Sequence, residues 1–191
     1  MEYEGLNFAH IRLEGEELND LHFDGCTFVH CELIDTKLVG CSFTDCKFEH
    51  CKALNGIYTH VNASDNAFTD CALIGIQWPD FMTARSVRLP FASLVRCKLS
   101  YNVFHGMRMK RIDFGESDLT GCIFEDCDLS ESKFCHCTLS EATFSNNNLM
   151  HADFRGAKAY EFSTAENRIR QAKFSFPEVM GLLKALEIVV E

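Results

Sequence analysis

Five cysteines fall between Cys26 and Cys51, in the stretch CTFVHCELIDTKLVGCSFTDCKFEHC, at spacings of five, ten, five and five. Thiols at that density could ligate a metal, pair as disulfides or act in redox chemistry. Structural zinc sites use close pairs of the Cys-x-x-Cys type, and this sequence has none. Eleven cysteines is an odd number, and no charged segment followed by an apolar run marks an export signal. Reduced thiols in a cytoplasm are therefore expected. Histidine offers a second possibility. His10, His30 and His50 are twenty residues apart and would form an outward ladder able to bind a divalent ion or sense pH, although the next position in the column is Asp70. Cys135, next to His136 in FCHC, is the candidate reactive thiol, and with the histidines it would make a thiol or metal sensor. There is no glycine-rich phosphate loop, no G-x-S-x-G and no H-E-x-x-H. We expect no catalytic residues, no cofactor and no metal site.

The elements that position these side chains follow a longer rule. Every fifth residue from Tyr3 to Trp78 is apolar, sixteen in succession, and eleven of them are Phe or Leu. The register then slips by one residue and resumes from Leu89 to Phe154, where thirteen of fourteen such centres are Phe or Leu. A helix repeats at 3.6 and a strand at 2. A sustained period of five is that of a solenoid, whose short units bury their apolar residue only by stacking on neighbours. Ten of the eleven cysteines lie two residues before a centre. That position elsewhere holds small residues such as Thr36, Ala92, Ser117 and Ala152, so cysteine there reads as a small buried hydrophobe.

Units such as CTFVH, CELID, CSFTD, CKFEH, SDLTG, CIFED, CDLSE, ATFSN and ADFRG resemble the pentapeptide-repeat family over roughly residues 3 to 160. The resemblance implies an all-β fold: a right-handed quadrilateral β-helix, four pentads per coil, with the centre and the small residue facing inward. A coil of twenty has independent support, since Phe104, Phe124 and Phe144 are twenty apart, as are Phe114, Phe134 and Phe154. Thirty pentads then make about 7.5 coils, a rod of roughly 36 Å at ~4.8 Å per coil. The expected organisation is a β-helix over 1–160, with the slip at 79–88, and a C-terminal cap and dimerisation segment over 161–191.

The slip, WPDFMTARSVRL, reads as a bulge or short loop, and its residues Pro79, Asp80, Phe81, Arg85 and Arg88 as a recognition point. In the tail, Ser175 and Glu178 fit a capping box and Pro177 a first helical turn. Val179, Met180, Leu182, Leu183 and Leu186 form an apolar face at helical spacing, followed by Ile188, Val189 and Val190. A solenoid end needs covering. This much apolar surface exceeds that need, so the short helix is expected to cap and to dimerise the chain. The tail also resembles the Qnr and McbG branch of the family, where a C-terminal helix and final apolar residues build a two-fold dimer.

The net charge of −10 argues against direct nucleic-acid binding, and no stretch approaches the ~20 apolar residues of a membrane span. Residues 1–84 carry a net of −10, residues 85–111 a net of +7 without a single acid, and residues 112–167 a net of −8. Against duplex DNA, with one charge per ~1.7 Å, these bands read as a partial mimic. Resemblance to the Qnr and McbG branch implies a non-enzymatic, DNA-mimic-like protein that binds type II topoisomerase, DNA gyrase or topoisomerase IV. It would protect that enzyme from quinolones or a gyrase-directed toxin. The expected contact is an acidic face of Asp113, Glu116, Asp118, Glu125, Asp126 and Asp128. The alternative is a structural or adaptor solenoid with an unrelated protein partner.

Overall fold

The computed structural model describes residues 1–82 and 88–184. Three-residue strands alternate with corners, and every fourth strand pairs in parallel with its predecessor, giving four faces. On the first, Glu2–Glu4, His22–Asp24, Ser42–Thr44 and Asn62–Ser64 follow in register, Tyr3 over Phe23. The chain makes about seven turns.

The corners explain much of the sequence. Outside the slip, the residue two places after a centre has positive φ, a region that Gly, Asn, Asp and His enter most readily. All fifteen corners from Gly5 to Gly75 are one of those four types. His10, His30 and His50 occupy such corners, at φ of 56°, 52° and 53°. From Asn102 onward most corners gain a further bond, from the small residue's N–H to the preceding centre's C=O, as in Ser117 N to Phe114 O at 3.1 Å.

Inside, the centres stack as anticipated. Phe104, Phe124 and Phe144 stack 4.7 Å apart in turn, with their rings nearly parallel. Phe114, Phe134 and Phe154 form a second column at 5.1 and 4.7 Å. The columns meet edge to face at 5.8 Å, a geometry that contributes beyond area burial.

The slip is larger than its one-residue signature. Phe68 pairs with Leu94, Ala72 with Lys98 and Gln77 with Val103, an offset of 26 where other coils have 20. Six residues are added, one whole pentad plus the remainder that the period registers. The excursion folds inward: Trp78 and Phe81, on the 3-10 turn Trp78–Phe81, are both buried. The next strand, Phe91–Val95, carries an irregularity opposite Asn66/Ala67. There Phe91 points in and Ala92 faces out, reversing the inward place the repeat gave to Ala92.

The solenoid also runs past residue 160. Asn148 pairs with Arg168 and Asp153 with Lys173, and Phe174 stacks on Phe154 at 5.3 Å. The tail then turns through Glu178–Met180 into the helix Gly181–Lys184. The expected capping box does not form, because Ser175 Oγ instead accepts from Gly156 N at 3.1 Å. Gly181 sits against the Tyr160 carbonyl so closely that a Cβ would come within 2.5 Å of its oxygen.

Candidate interaction surface

The ten patterned cysteines are buried and all eleven are free thiols. Their position is more than small. Cys127 shares its S–H between Phe104 O of the preceding coil (3.3 Å) and Glu125 O (3.2 Å). Ser117 Oγ donates to Leu94 O, Asn147 Nδ2 to Phe124 O and Thr36 Oγ1 to Leu13 O. The inward small residue is thus a hydrogen-bond donor that ties coils together, which a reading by size missed. Burial pushes the Cys122 and Cys137 thiols up to about 12, so they stay protonated. Cys135 is half-buried, its thiol 3.8 Å from Asp153 O. Its pKa is raised by burial and then by Asp153, against the low-pKa setting of a reactive cysteine.

The six acids expected to share a face do not. Each pentad makes a quarter-turn, so Asp113, Glu116, Asp118, Glu125, Asp126 and Asp128 encircle one coil across all four sides. Three of them are committed locally. Asp113 Oδ1 accepts from Gly115 N and its Oδ2 pairs with Lys133 at 3.0 Å. Asp118 Oδ1 accepts from Thr120 N, and Asp128 Oδ1 from Ser130 N and Asn148 Nδ2. Glu116, Glu125 and Asp126 are exposed. Glu125 lies 3.3 Å from His105, and with Asp126 these groups come within 4.8 Å of one another, close enough to share a divalent ion.

The basic belt meets the acids of neighbouring coils. Arg88 pairs with Asp65 at 2.9 Å. Arg96 grips Asp70 with two bonds of 2.9 and 3.0 Å and holds that carboxyl below its usual range. Arg111 and Lys110 both engage Glu131, lowering it to about 2. Of the slip residues, Asp80 is exposed and Phe81 buried, and Arg85 lies outside the described residues. The rings of His10, His30 and His50 stack at 5.3 and 4.8 Å, all exposed.

In the tail, Leu182 is buried and Val179 packs against the core, so both serve as cap. Leu183 is half-buried and Met180 is 40% exposed. Phe176, 81% exposed, was not anticipated. Leu186, Ile188, Val189 and Val190 lie outside the described residues. Among the described residues no helix is long and apolar enough to cross a membrane.

Two family models match. Pentapeptide repeats match residues 7–55 in eight copies, and the SV2A/B/C luminal domain matches residues 94–164. No curated protein sequence matches the chain. Among solved structures, full-length QnrB1, a plasmid-mediated fluoroquinolone resistance protein, superposes with a TM-score of 0.53 at 16% identity, covering 98% of this chain and 100% of that one. HetL, a pentapeptide repeat protein involved in heterocyst differentiation regulation in the cyanobacterium Nostoc, gives 0.34 at 14% identity, covering 90% and 86%.

Proposed function

Because this chain is a pentapeptide-repeat solenoid, we propose that it acts without catalysis, as a charged rod that occupies the DNA-binding surface of a type II topoisomerase. The supporting observation is charge density. Residues 112–167 carry a net of −8. At twenty residues and 4.7 Å per coil, that is nearly three negative charges per coil, about one per 1.7 Å, the spacing of duplex DNA. Averaged over the whole chain, a net of −10 over 191 residues, the density is little more than a third of this. The encircling acids fit the same reading, since DNA presents phosphates around its circumference and not along one flat face.

QnrB1, described as a fluoroquinolone resistance protein, has the same fold. DNA gyrase or topoisomerase IV is therefore the partner proposed, with protection from quinolones or a gyrase-directed toxin as the outcome. A homodimer joined through Met180, Leu183 and the segment that follows would double the rod, and Leu183→Asp should then elute as a monomer. The test of function is gyrase supercoiling across a titration of this protein, with and without ciprofloxacin. Rescue at or below equimolar protein supports the reading. No effect in either arm, with no binding, would favour the adaptor alternative, in which the ion pairs between coils serve only to stiffen a scaffold.

A further inference from the structure

The N-terminal half of the core is hollow. A cavity of about 270 Å³ runs from Tyr3 in the first coil to Trp78 in the fourth. Two centres widen it. Ala53 and Ala63 line the space and stand where their column neighbours are Leu33, Leu73 and Phe43. In the C-terminal half the corresponding centres, Leu99 and Leu129 for example, are Leu, Phe or Met and are completely buried. The cavity opens at the first coil, whose centres are only half-buried.

Shape and chemistry narrow the occupant. Successive rings Tyr3, Phe23 and Phe43 are 5.0 and 5.1 Å apart, so three steps between four coils give a length of about 15 Å. Spread over that length, the volume suits a single elongated apolar chain. In the wall, Asn66 Nδ2 donates to Phe43 O and Pro90 O and the Cys51 thiol to Phe28 O, while Trp78 Nε1 at the inner end is buried without a partner. Apolar cavities of even ~150 Å³ stay dry and take up apolar molecules. The rim is acidic, with six carboxylates and one arginine in residues 1–20. We propose that this lumen binds a straight alkyl chain with an uncharged or cationic head, its tail toward Trp78 and its head among the rim carboxylates.

Trp78 is the chain's one tryptophan, so its fluorescence reports the inner end of the lumen. The probe is 11-bromoundecan-1-ol, which carries a heavy-atom quencher on its last carbon. Saturable quenching at equimolar stoichiometry, reversed by excess undecan-1-ol, is expected. The matching carboxylate, 11-bromoundecanoate at neutral pH, should bind about tenfold more weakly because like charges oppose it at the rim. Ala53→Leu with Ala63→Phe should abolish quenching. Ala63→Leu alone, a smaller change, should weaken it at least threefold and guards against misfolding of the double variant. Quenching that never saturates, that undecan-1-ol does not reverse, or that persists in the filled variants overturns the proposal. Equal affinity for acid and alcohol overturns the assignment of the head.

Discussion

Asn147→Ala decides whether the inward position of each pentad is a matter of size or of hydrogen bonding. Alanine occupies that position at Ala142 and Ala152, both buried, so size alone predicts no cost. The geometry predicts otherwise. Asn147 Nδ2 donates to Phe124 O at 2.8 Å, and its Oδ1 accepts from Cys127 N at 2.9 Å. This corner is open, whereas at closed corners the N–H is spent within the turn, as in Cys122 N to Leu119 O. Alanine at 147 would therefore strand two buried backbone groups at about 1–3 kcal/mol each. A total of about 2–6 kcal/mol is expected. Serine should recover most of it, because at Ser117 one hydroxyl does both tasks, accepting from Cys97 N and donating to Leu94 O at 2.9 Å each. The assay is guanidinium unfolding followed by circular dichroism, with hydrogen exchange at the Cys127 amide as the local readout. An alanine variant within about 0.5 kcal/mol of wild type, the range of an inconsequential substitution, would refute the argument.

Filling the lumen with Ala53→Leu should stabilise the chain by about 1–2 kcal/mol, read in the same unfolding experiment. Gly181→Ala should loosen the C-terminal cap, since the new methyl meets the Tyr160 carbonyl oxygen. A loss of about 1–3 kcal/mol and faster exchange around Leu182 are expected. Asp153 is held down to about 2, first by its hydrogen bonds with Arg155. A carboxyl depressed in the folded state stabilises above its unfolded value, about 3.9, and that contribution disappears as pH falls toward 2. The melting-temperature gap between wild type and Asp153→Asn should therefore be widest above pH ~4 and close below it. With an aromatic disulfide reagent at neutral pH, native protein should release one slow equivalent, from Cys135, and all eleven thiols after denaturation. Fast labelling of Cys135 would contradict its raised pKa.

The fold was legible because a period of five excludes both regular elements, and the twenty-residue recurrence of Phe identifies the coil. Other features were hidden for physical reasons. A period registers an insertion only by its remainder, so six added residues at Trp78–Phe91 looked like one. The histidine ladder looked like chemistry until its backbone was seen, because what selects His10, His30 and His50 is a left-handed corner that Asp, Asn and Gly share. The cysteines were placed correctly by spacing, but composition ranks them by volume and hides the carbonyl each one meets. The acids were legible as a cluster in sequence and misleading as a face, because a quarter-turn per pentad spreads sixteen residues around a whole coil.

The same winding gives the basic belt its role. Residues 85–111 hold seven bases and no acid, yet among the described residues three of the arginines reach across to flanking coils, Arg88 to Asp65, Arg96 to Asp70 and Arg111 to Glu131. Exposed pairs of this kind contribute at most ~1 kcal/mol each to stability, so their larger consequence is electrostatic. They neutralise the edges of both acidic bands that face the belt and leave the outer parts charged. At a screening length of ~8 Å in physiological salt, less than two coils, such boundaries stay sharp. A basic partner groove would therefore feel two separate negative segments and not a uniform rod, and its register along the solenoid would be set by where the belt lies.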